Sequence, residues 1–172
     1  MISRRLIILF GLPGAGKTYV GKVLRDEFGY FLYNADRNLP RVMRQTLYRR
    51  APISNSMRDT FFANILKYVV SLTKNYTKVA VAQTFLKERY RKTLLKQFPY
   101  ALFLLITADT PIRESRYQKR NYFNLGLAYL RSMSAGFEEP SIPHTTIVNN
   151  TQGKGKIREQ LHNVLDDAPG NL

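Results

Sequence analysis

The chain has 172 residues, of which 44% are hydrophobic and 23% charged, and it contains no cysteine. This composition excludes a wholly disordered chain, a disulfide framework and a thiolate metal site, and the length fits a single domain over residues 1–172. Lys and Arg number 27 against 12 Asp and Glu, and the resulting net charge of +15 attracts anions. The longest apolar runs are shorter than the roughly 20 residues of a membrane span. The lack of cysteine favours a reducing compartment, and we expect a cytoplasmic protein.

Apolar residues alternate between strand-like and helix-like spacing along the chain. Short apolar runs predict strands at residues 5–10, 30–34, 78–82, 100–107 and 144–148. Helical spacing and capping residues predict helices at residues 17–28, 54–74 and 87–98, one that begins at Thr110, and one at 157–167. Strands that alternate with helices predict an α/β fold, with a parallel sheet covered on both faces.

The first strand runs into Gly11-Leu12-Pro13-Gly14-Ala15-Gly16-Lys17-Thr18, which fits G-x-x-x-x-G-K-S/T at every fixed position. Glycines let backbone N–H groups surround phosphate oxygens, and the N-terminus of the following helix favours the same anion. Lys17 can reach the outer phosphates, and the Thr18 hydroxyl can ligate Mg²⁺. We therefore predict an ATP and Mg²⁺ site. The residues that would bind the nucleotide are Gly11, Gly14, Ala15, Gly16, Lys17, Thr18 and Tyr19.

The rest of the chain narrows the class of nucleotide-binding protein. The third strand runs into Gln83 without an Asp or Glu, which argues against an AAA-type or helicase motor. The sequence also lacks the N-K-x-D motif by which a GTPase reads guanine. These features favour a compact phosphoryl-transfer enzyme with a closing lid.

Three arginines, Arg113, Arg116 and Arg120, have spacings of three and four and can share one helix face. Arginines that arrive from a mobile lid neutralise the charge that develops on a transferred phosphate. We predict a lid at about residues 116–136 in which Arg116 and Arg120 are catalytic. Substitution of either should lower kcat more than it weakens ATP affinity. A solvated basic surface is the alternative interpretation.

Asp36 follows the second strand, so its carboxylate is expected at the ligand-binding edge of the sheet. It can accept the proton of an acceptor hydroxyl or hold Mg²⁺ through water, although a helix N-cap is the alternative. Arginines then recur without an acidic residue until Asp59, and Arg58 suits the bidentate binding of a carboxylate. We predict a substrate-binding segment at about residues 36–60, in which most of the arginines lie on a surface helix.

Four further stretches carry a family resemblance. They are Phe85-Leu86-Lys87-Glu88-Arg89-Tyr90-Arg91, Glu114-Ser115-Arg116 with Arg120 and Phe123, Phe137-Glu138-Glu139-Pro140, and Pro52-Ile53 followed by Arg58. Over residues 5–165 the chain resembles the small P-loop sugar-acid and shikimate kinases, most closely the gluconate kinases. The resemblance implies a three-layer fold with five parallel strands and a lid like that of nucleoside monophosphate kinases. It also implies ATP-dependent phosphorylation of a sugar-acid hydroxyl, with Asp36, Arg58 and Lys87 at the substrate.

Departures from the gluconate kinase pattern fall on the acceptor side. The pattern D-G-D-x-x-H-P reads here as Asn34-Ala35-Asp36-Arg37-Asn38-Leu39-Pro40. Met43, Thr46 and Met133 stand where that pattern has Asn, Lys and Gln. Because each unpaired buried polar group costs about 1–3 kcal/mol, we expect gluconate to be a poor acceptor. A less hydroxylated or nucleoside-like anion should be a better one.

Two rival functions stay open at this point. A nucleoside or nucleotide kinase would use the same scaffold, and a basic nucleic-acid-binding protein could retain an ATP site. Binding of DNA or RNA that weakens strongly with salt would favour the second rival. Our preferred partner is a small anionic metabolite rather than a nucleic acid or a membrane, and the sequence is compatible with a homodimer.

Overall fold

The computed structural model describes residues 5–121, 124–150 and 153–166. Its strands form a single parallel sheet in the order β2-β3-β1-β4-β5. The strands are β1 (Arg5–Phe10), β2 (Phe31–Asn34), β3 (Lys78–Ala82), β4 (Leu102–Thr107) and β5 (Thr145–Val148). The predicted five-stranded parallel sheet is therefore confirmed.

Helices connect the strands on both faces of the sheet. They are α1 (Lys17–Phe28), α2 (Arg41–Tyr48), α3 (Asn55–Asn75), α4 (Glu88–Gln97), α5 (Thr110–Gln118), α6 (Leu127–Ala135) and α7 (Lys154–Asp166). A short 3-10 turn at Ala35–Asn38 follows β2. Ser54 caps α3, because its hydroxyl accepts a hydrogen bond of 3.1 Å from the backbone N–H of Met57.

Two hydrophobic clusters hold the layers together, one on each face of the sheet. Leu6, Ile8 and Phe10 of β1 enter the first cluster, which α3 and α4 cover. Ile7 and Leu9 point the other way, into a cluster completed by α1 and α7. This alternation follows from the period of two in a strand that is buried on both sides. It confirms the predicted three-layer α/β sandwich.

The helix α6 was not predicted from the sequence, and α2 was predicted only as a surface helix without bounds within residues 36–60. Each is short and buries little, because α2 buries only Met43 and Leu47, and α6 buries only Leu130. Gly126, the N-cap of α6, offers no side-chain cap, so the local start signal is also weak. Phe123, which carries part of the family resemblance, and residue 167 of the helix predicted at 157–167 lie outside the described residues. No helix in the described ranges is both long and apolar enough to span a membrane.

Candidate active site

The loop between β1 and α1 is shaped by close packing at its glycines. Gly14 has φ 81°, and a Cβ there would lie 2.5 Å from the carbonyl oxygen of Arg113. Gly16 has φ 90°, and a Cβ there would overlap the side-chain amide of Asn149. Gly16 also starts α1 without a side-chain cap, so the first N–H groups of the helix are not bonded to a capping side chain. The backbone therefore offers the anion cradle that the sequence motif predicts.

Lys17 is 9% exposed and folds back over this loop. Its Nζ donates hydrogen bonds to the carbonyl oxygens of Gly11, at 2.8 Å, and Leu12, at 3.1 Å. Burial lowers the pKa of Lys17 to about 7. The negative charge of Asp36 acts in the opposite direction, and the positive charges of Arg120 and Arg113 lower the pKa further. A phosphate anion at the loop would favour the charged form of the amine.

A chain of hydrogen bonds joins the ends of α1, β2 and β3. Asn34 Nδ2 donates to Thr18 Oγ1 at 3.2 Å, while Asn34 Oδ1 accepts from the backbone N–H of Asp36 at 3.1 Å. Gln83 Nε2 donates to Asp36 Oδ1 at 3.1 Å, and Gln83 Oε1 accepts from the N–H of Thr84. Asn34 is thus the cap of the 3-10 turn, and the Asp36 carboxylate faces the site.

The donor set near Thr18 fits a magnesium ion brought in by a nucleotide. Mg²⁺ prefers oxygen ligands and is commonly held by one or two carboxylates together with substrate phosphates. The Thr18 hydroxyl and the Asp36 carboxylate supply such oxygens beside the phosphate loop. Within the described residues, no group of three or more His, Cys, Asp or Glu side chains could hold a metal alone. Phosphate oxygens of the nucleotide and water would complete the coordination.

Arg116 ties α5 to the phosphate loop and to the segment after β5. Its Nη1 donates to the carbonyl oxygen of Asn149 at 2.8 Å, and its Nη2 donates to that of Asn150 at 2.7 Å. The buried side chain of Asn149 donates in turn to the carbonyl oxygen of Ala15 at 2.9 Å. Arg116 lines the cavity beside the loop, but these carbonyl groups already orient its guanidinium.

Arg113 and Arg120 differ from Arg116 in their surroundings. Arg113 is 7% exposed and donates to the hydroxyls of Ser134 and Thr110 at 3.4 and 3.3 Å. Burial lowers the pKa of Arg113. Arg120 places its guanidinium carbon 4.9 Å from the centre of the Tyr117 ring and lines the cavity. The charges of Arg120 and Arg113 both lower the pKa of Lys17, and of these two arginines Arg120 lines the cavity.

A cavity of about 370 Å³ lies over this edge of the sheet. It brings together most of the predicted catalytic and substrate-binding residues. Those in its wall are Lys17, Thr18, Asp36, Arg58, Arg116 and Arg120. Lys87 does not line the cavity, because its Nζ pairs with Glu138 Oε1 at 3.1 Å. Tyr19 is 42% exposed and also lies outside the wall.

The stretch after β3 is fixed by a buried arginine, Arg91, whose role the sequence does not reveal. Arg91 is fully buried, and its Nε donates to Glu88 Oε2 at 2.5 Å. Its guanidinium also donates to the carbonyl oxygens of Phe85 and Glu138. Phe85 has φ 45°, a conformation that costs an aromatic residue free energy and persists only when its surroundings hold it. Arg91 thus supports a strained turn in the cavity wall.

The fold and this site define a P-loop protein with the architecture of small-molecule kinases. The family model described as an AAA domain, AAA_33, matches residues 6–140, and the chain belongs to this family. Gln83 argues against the function of a motor and not against membership of this family. A protein named probable gluconokinase from Xenopus tropicalis is 26% identical over 116 residues, which cover 67% of this chain and 55% of that protein. A probable gluconokinase from Dictyostelium discoideum is 23% identical over 176 residues, which cover 95% of this chain and 87% of that protein.

Solved structures agree with this assignment of the fold. A sugar kinase from Janibacter sp. HTCC2649 has a TM-score of 0.80 at 22% identity, and the match covers 96% of each chain. A gluconokinase from Sinorhizobium meliloti 1021 has a TM-score of 0.76 at 21% identity, covering 96% of this chain and 94% of that one. A deoxyadenosine kinase from M. mycoides has a TM-score of 0.67 at 16% identity, and the match covers 94% of this chain and 99% of that one. The resemblance to gluconate kinases is confirmed.

Proposed function

We propose that the protein is an ATP-dependent kinase that transfers the γ-phosphate to a hydroxyl of a sugar acid or a related anionic metabolite. The observation that carries the proposal is that Lys17, Thr18, Asp36 and Arg58 meet in the wall of a single cavity. The names of the two gluconokinase relatives support this class of reaction.

Each residue has a role that its surroundings support. The N–H groups of the phosphate loop and Lys17 bind the phosphates, and Thr18 is the chain's direct oxygen ligand for Mg²⁺. When bound, Mg²⁺ supplies positive charge that neutralises the phosphate oxygens. Arg120 adds charge from the wall of the site. We propose that residues 116–136 form the lid, of which the structure describes the part that includes α6.

In the proposed transfer, ATP supplies the phosphoryl group and Asp36 accepts the proton of the acceptor. The acceptor oxygen forms a bond to the γ-phosphorus as the bond from that phosphorus to the bridging oxygen breaks, and ADP leaves. Asp36 takes the proton of the acceptor hydroxyl, and Gln83 holds Oδ1 of this carboxylate at 3.1 Å. Arg58 binds the carboxylate of the acceptor, since Lys87 is engaged by Glu138. The proposed substrate-binding segment extends over about residues 36–60.

A screen of ATP consumption tests this proposal. The full chain is assayed with ATP and Mg²⁺ against gluconate, other sugar acids, shikimate and nucleosides, and phosphorus NMR identifies the product. The proposal expects ADP formation that depends on an acceptor and yields a phosphate monoester. ADP formation at the same rate with and without every acceptor would contradict it.

A nucleoside kinase is the second candidate, and the aromatic wall of the cavity favours it. Phe61, Phe62, Phe85 and Tyr129 contribute rings on which a base could stack. The nucleoside arm of the same screen distinguishes this candidate.

A nucleic-acid-binding protein would use the exposed arginines of α2. The salt dependence of DNA or RNA binding tests this alternative. Cytoplasmic location and homodimer formation stay predictions.

A further inference from the structure

The cavity wall beyond Asp36 is mainly aromatic and aliphatic. Its members include Met43 of α2, Phe61 and Phe62 of α3, Phe85 after β3, and Tyr129 and Met133 of α6. We infer that the acceptor has a flat apolar ring as its body, with one anionic group and few hydroxyls, rather than a chain of hydroxyls. This inference rests on the proposed function, because it assigns the ligand of the same cavity.

The aromatic part of the wall is ordered by contacts within the protein. The rings of Phe62 and Tyr90 stack with centroids 4.6 Å apart, and Phe85 meets Phe62 edge-on at 6.3 Å. Arg91 fixes the turn that presents Phe85. A preorganised aromatic surface favours a planar apolar group, because such a group gains ring contacts without further ordering of the side chains.

Many polar groups of the wall already have partners inside the protein. Both ends of the Asn34 and Gln83 amides are hydrogen-bonded. The Tyr90 hydroxyl donates to Asp59 Oδ1 at 2.8 Å, and the Tyr117 hydroxyl accepts from the N–H of Leu125 at 3.4 Å. Each of the two amides has only one N–H and one lone pair left for a substrate, so the wall offers few positions for substrate hydroxyls.

The groups that remain suit a sparsely hydroxylated anion. Within the described part of the chain, the Arg58 side chain has no ion-pair or hydrogen-bond partner, and the hydroxyls of Thr84 and Tyr129 have no hydrogen-bond partner. Asp36 keeps one carboxylate oxygen beyond the contact with Gln83. These groups can hold one carboxylate and one or two hydroxyls. A sugar acid, with a hydroxyl on every carbon beyond the carboxylate, would bury hydroxyls against Phe and Met side chains.

Binding measurements on the full chain test the inference. Calorimetry on protein saturated with Mg²⁺ and the non-hydrolysable analogue AMPPNP compares gluconate with 4-(hydroxymethyl)benzoate, which has one carboxylate, one alcohol and one flat ring. We expect the aromatic acid to bind at least about tenfold more tightly. Equal or tighter binding of gluconate overturns the inference, and so does binding of neither acid when AMPPNP binds. Failure of AMPPNP to bind would instead remove the proposed function.

A substitution in the wall gives a second, independent readout. Met133→Gln places an amide in the apolar part of the cavity, whereas Met57→Gln introduces the same change outside the wall, at a similarly half-buried site in α3. Met133→Gln should narrow the affinity ratio between the two acids by about threefold or more, and Met57→Gln should leave it unchanged. A ratio that is the same in both variants and in the wild type would overturn the role of this wall.

Discussion

Gln83 at the end of β3 donates a hydrogen bond of 3.1 Å from its Nε2 to Oδ1 of Asp36, in the turn after β2. In the sequence, Gln83 was the residue that argued against a motor, because it stands where an acidic side chain would be expected. In the structure its amide orients the carboxylate proposed as the base. The two residues follow the ends of neighbouring strands, so the sheet order brings them together.

Removal of this amide should impair catalysis more than nucleotide binding. In Gln83→Leu the Asp36 carboxylate loses an orienting donor, and misplacement of a catalytic group by about 1 Å can lower the rate about 100-fold. We expect kcat to fall about 10-fold to 100-fold, with the KM for ATP little changed. Steady-state kinetics of Gln83→Leu and of Gln97→Leu, a control at the exposed end of α4, checks this. A normal kcat in Gln83→Leu would show that Asp36 does not depend on Gln83.

The lid arginines should separate into two functional types. Arg116 is held by backbone carbonyl groups near the phosphate loop, so Arg116→Ala should mainly weaken ATP binding and lower thermal stability. Arg120 lies in the cavity wall and acts on Lys17, so Arg120→Ala should mainly lower kcat, by about 100-fold or more. The exposed Lys119→Ala is the matched control. From the sequence alone, substitution of either arginine should lower kcat more than it weakens ATP affinity. If both variants lost kcat with unchanged ATP affinity, the proposed difference between Arg116 and Arg120 would be wrong.

The buried arginine of α4 should matter for stability far more than its exposed neighbour. Arg91→Met leaves Glu88 without its buried partner and removes the donors to Phe85 and Glu138. Loss of one partner of a buried ion pair costs about 3–5 kcal/mol in the free energy of unfolding. Arg89 pairs with Asp59 in the solvent, and Arg89→Met should change stability little. Urea denaturation of the two variants gives the comparison, and similar losses in both would contradict the proposed role of Arg91.

The depressed pKa of Lys17 predicts a pH dependence of stability. Burial lowers this pKa from the ordinary value of 10.5 to about 7 in the folded chain, so the unfolded state binds more protons between these two pH values. The penalty for burying the amine is complete below about pH 7 and disappears as the pH rises towards 10.5. Lys17→Met should therefore be more stable than wild type at pH 7, and the difference should shrink by pH 10.

Denaturation of wild type, Lys17→Met and the exposed control Lys22→Met at several pH values in the absence of nucleotide measures this difference. A stability gain in Lys17→Met that did not change between pH 7 and pH 10 would mean that the Lys17 amine titrates normally.

The parts that the sequence predicted best are those in which one local pattern defines both structure and chemistry. The phosphate loop combines its glycines, Lys17 and a strand–helix context within a few residues. Asp36 was also placed correctly at the edge of the sheet, because a polar residue after a parallel strand falls there in any order of strands. The buried strands were also predicted, because their apolar runs are local patterns.

Features that depend on tertiary packing were not predictable. The pairing of Asn34 with Thr18 and of Gln83 with Asp36 requires the adjacency of β1, β3 and β2, which no local pattern encodes. The helix α6 buries a single residue, so its apolar periodicity is faint. Lys87 matched a family motif, yet it pairs with Glu138, a residue 51 positions further along the chain, between α6 and β5.

Turnover by a phosphate-loop variant tests the central claim most directly. Acceptor-dependent ADP formation is measured for wild type, Lys17→Ala and Lys22→Ala, the last being a lysine on the exposed face of the same helix. Since Lys17 lies on the phosphate loop and in the cavity wall, we expect Lys17→Ala to lose activity by about 1,000-fold or more. Lys22→Ala should retain normal activity. Undiminished turnover in Lys17→Ala would contradict the assignment of this loop as the site of phosphoryl transfer.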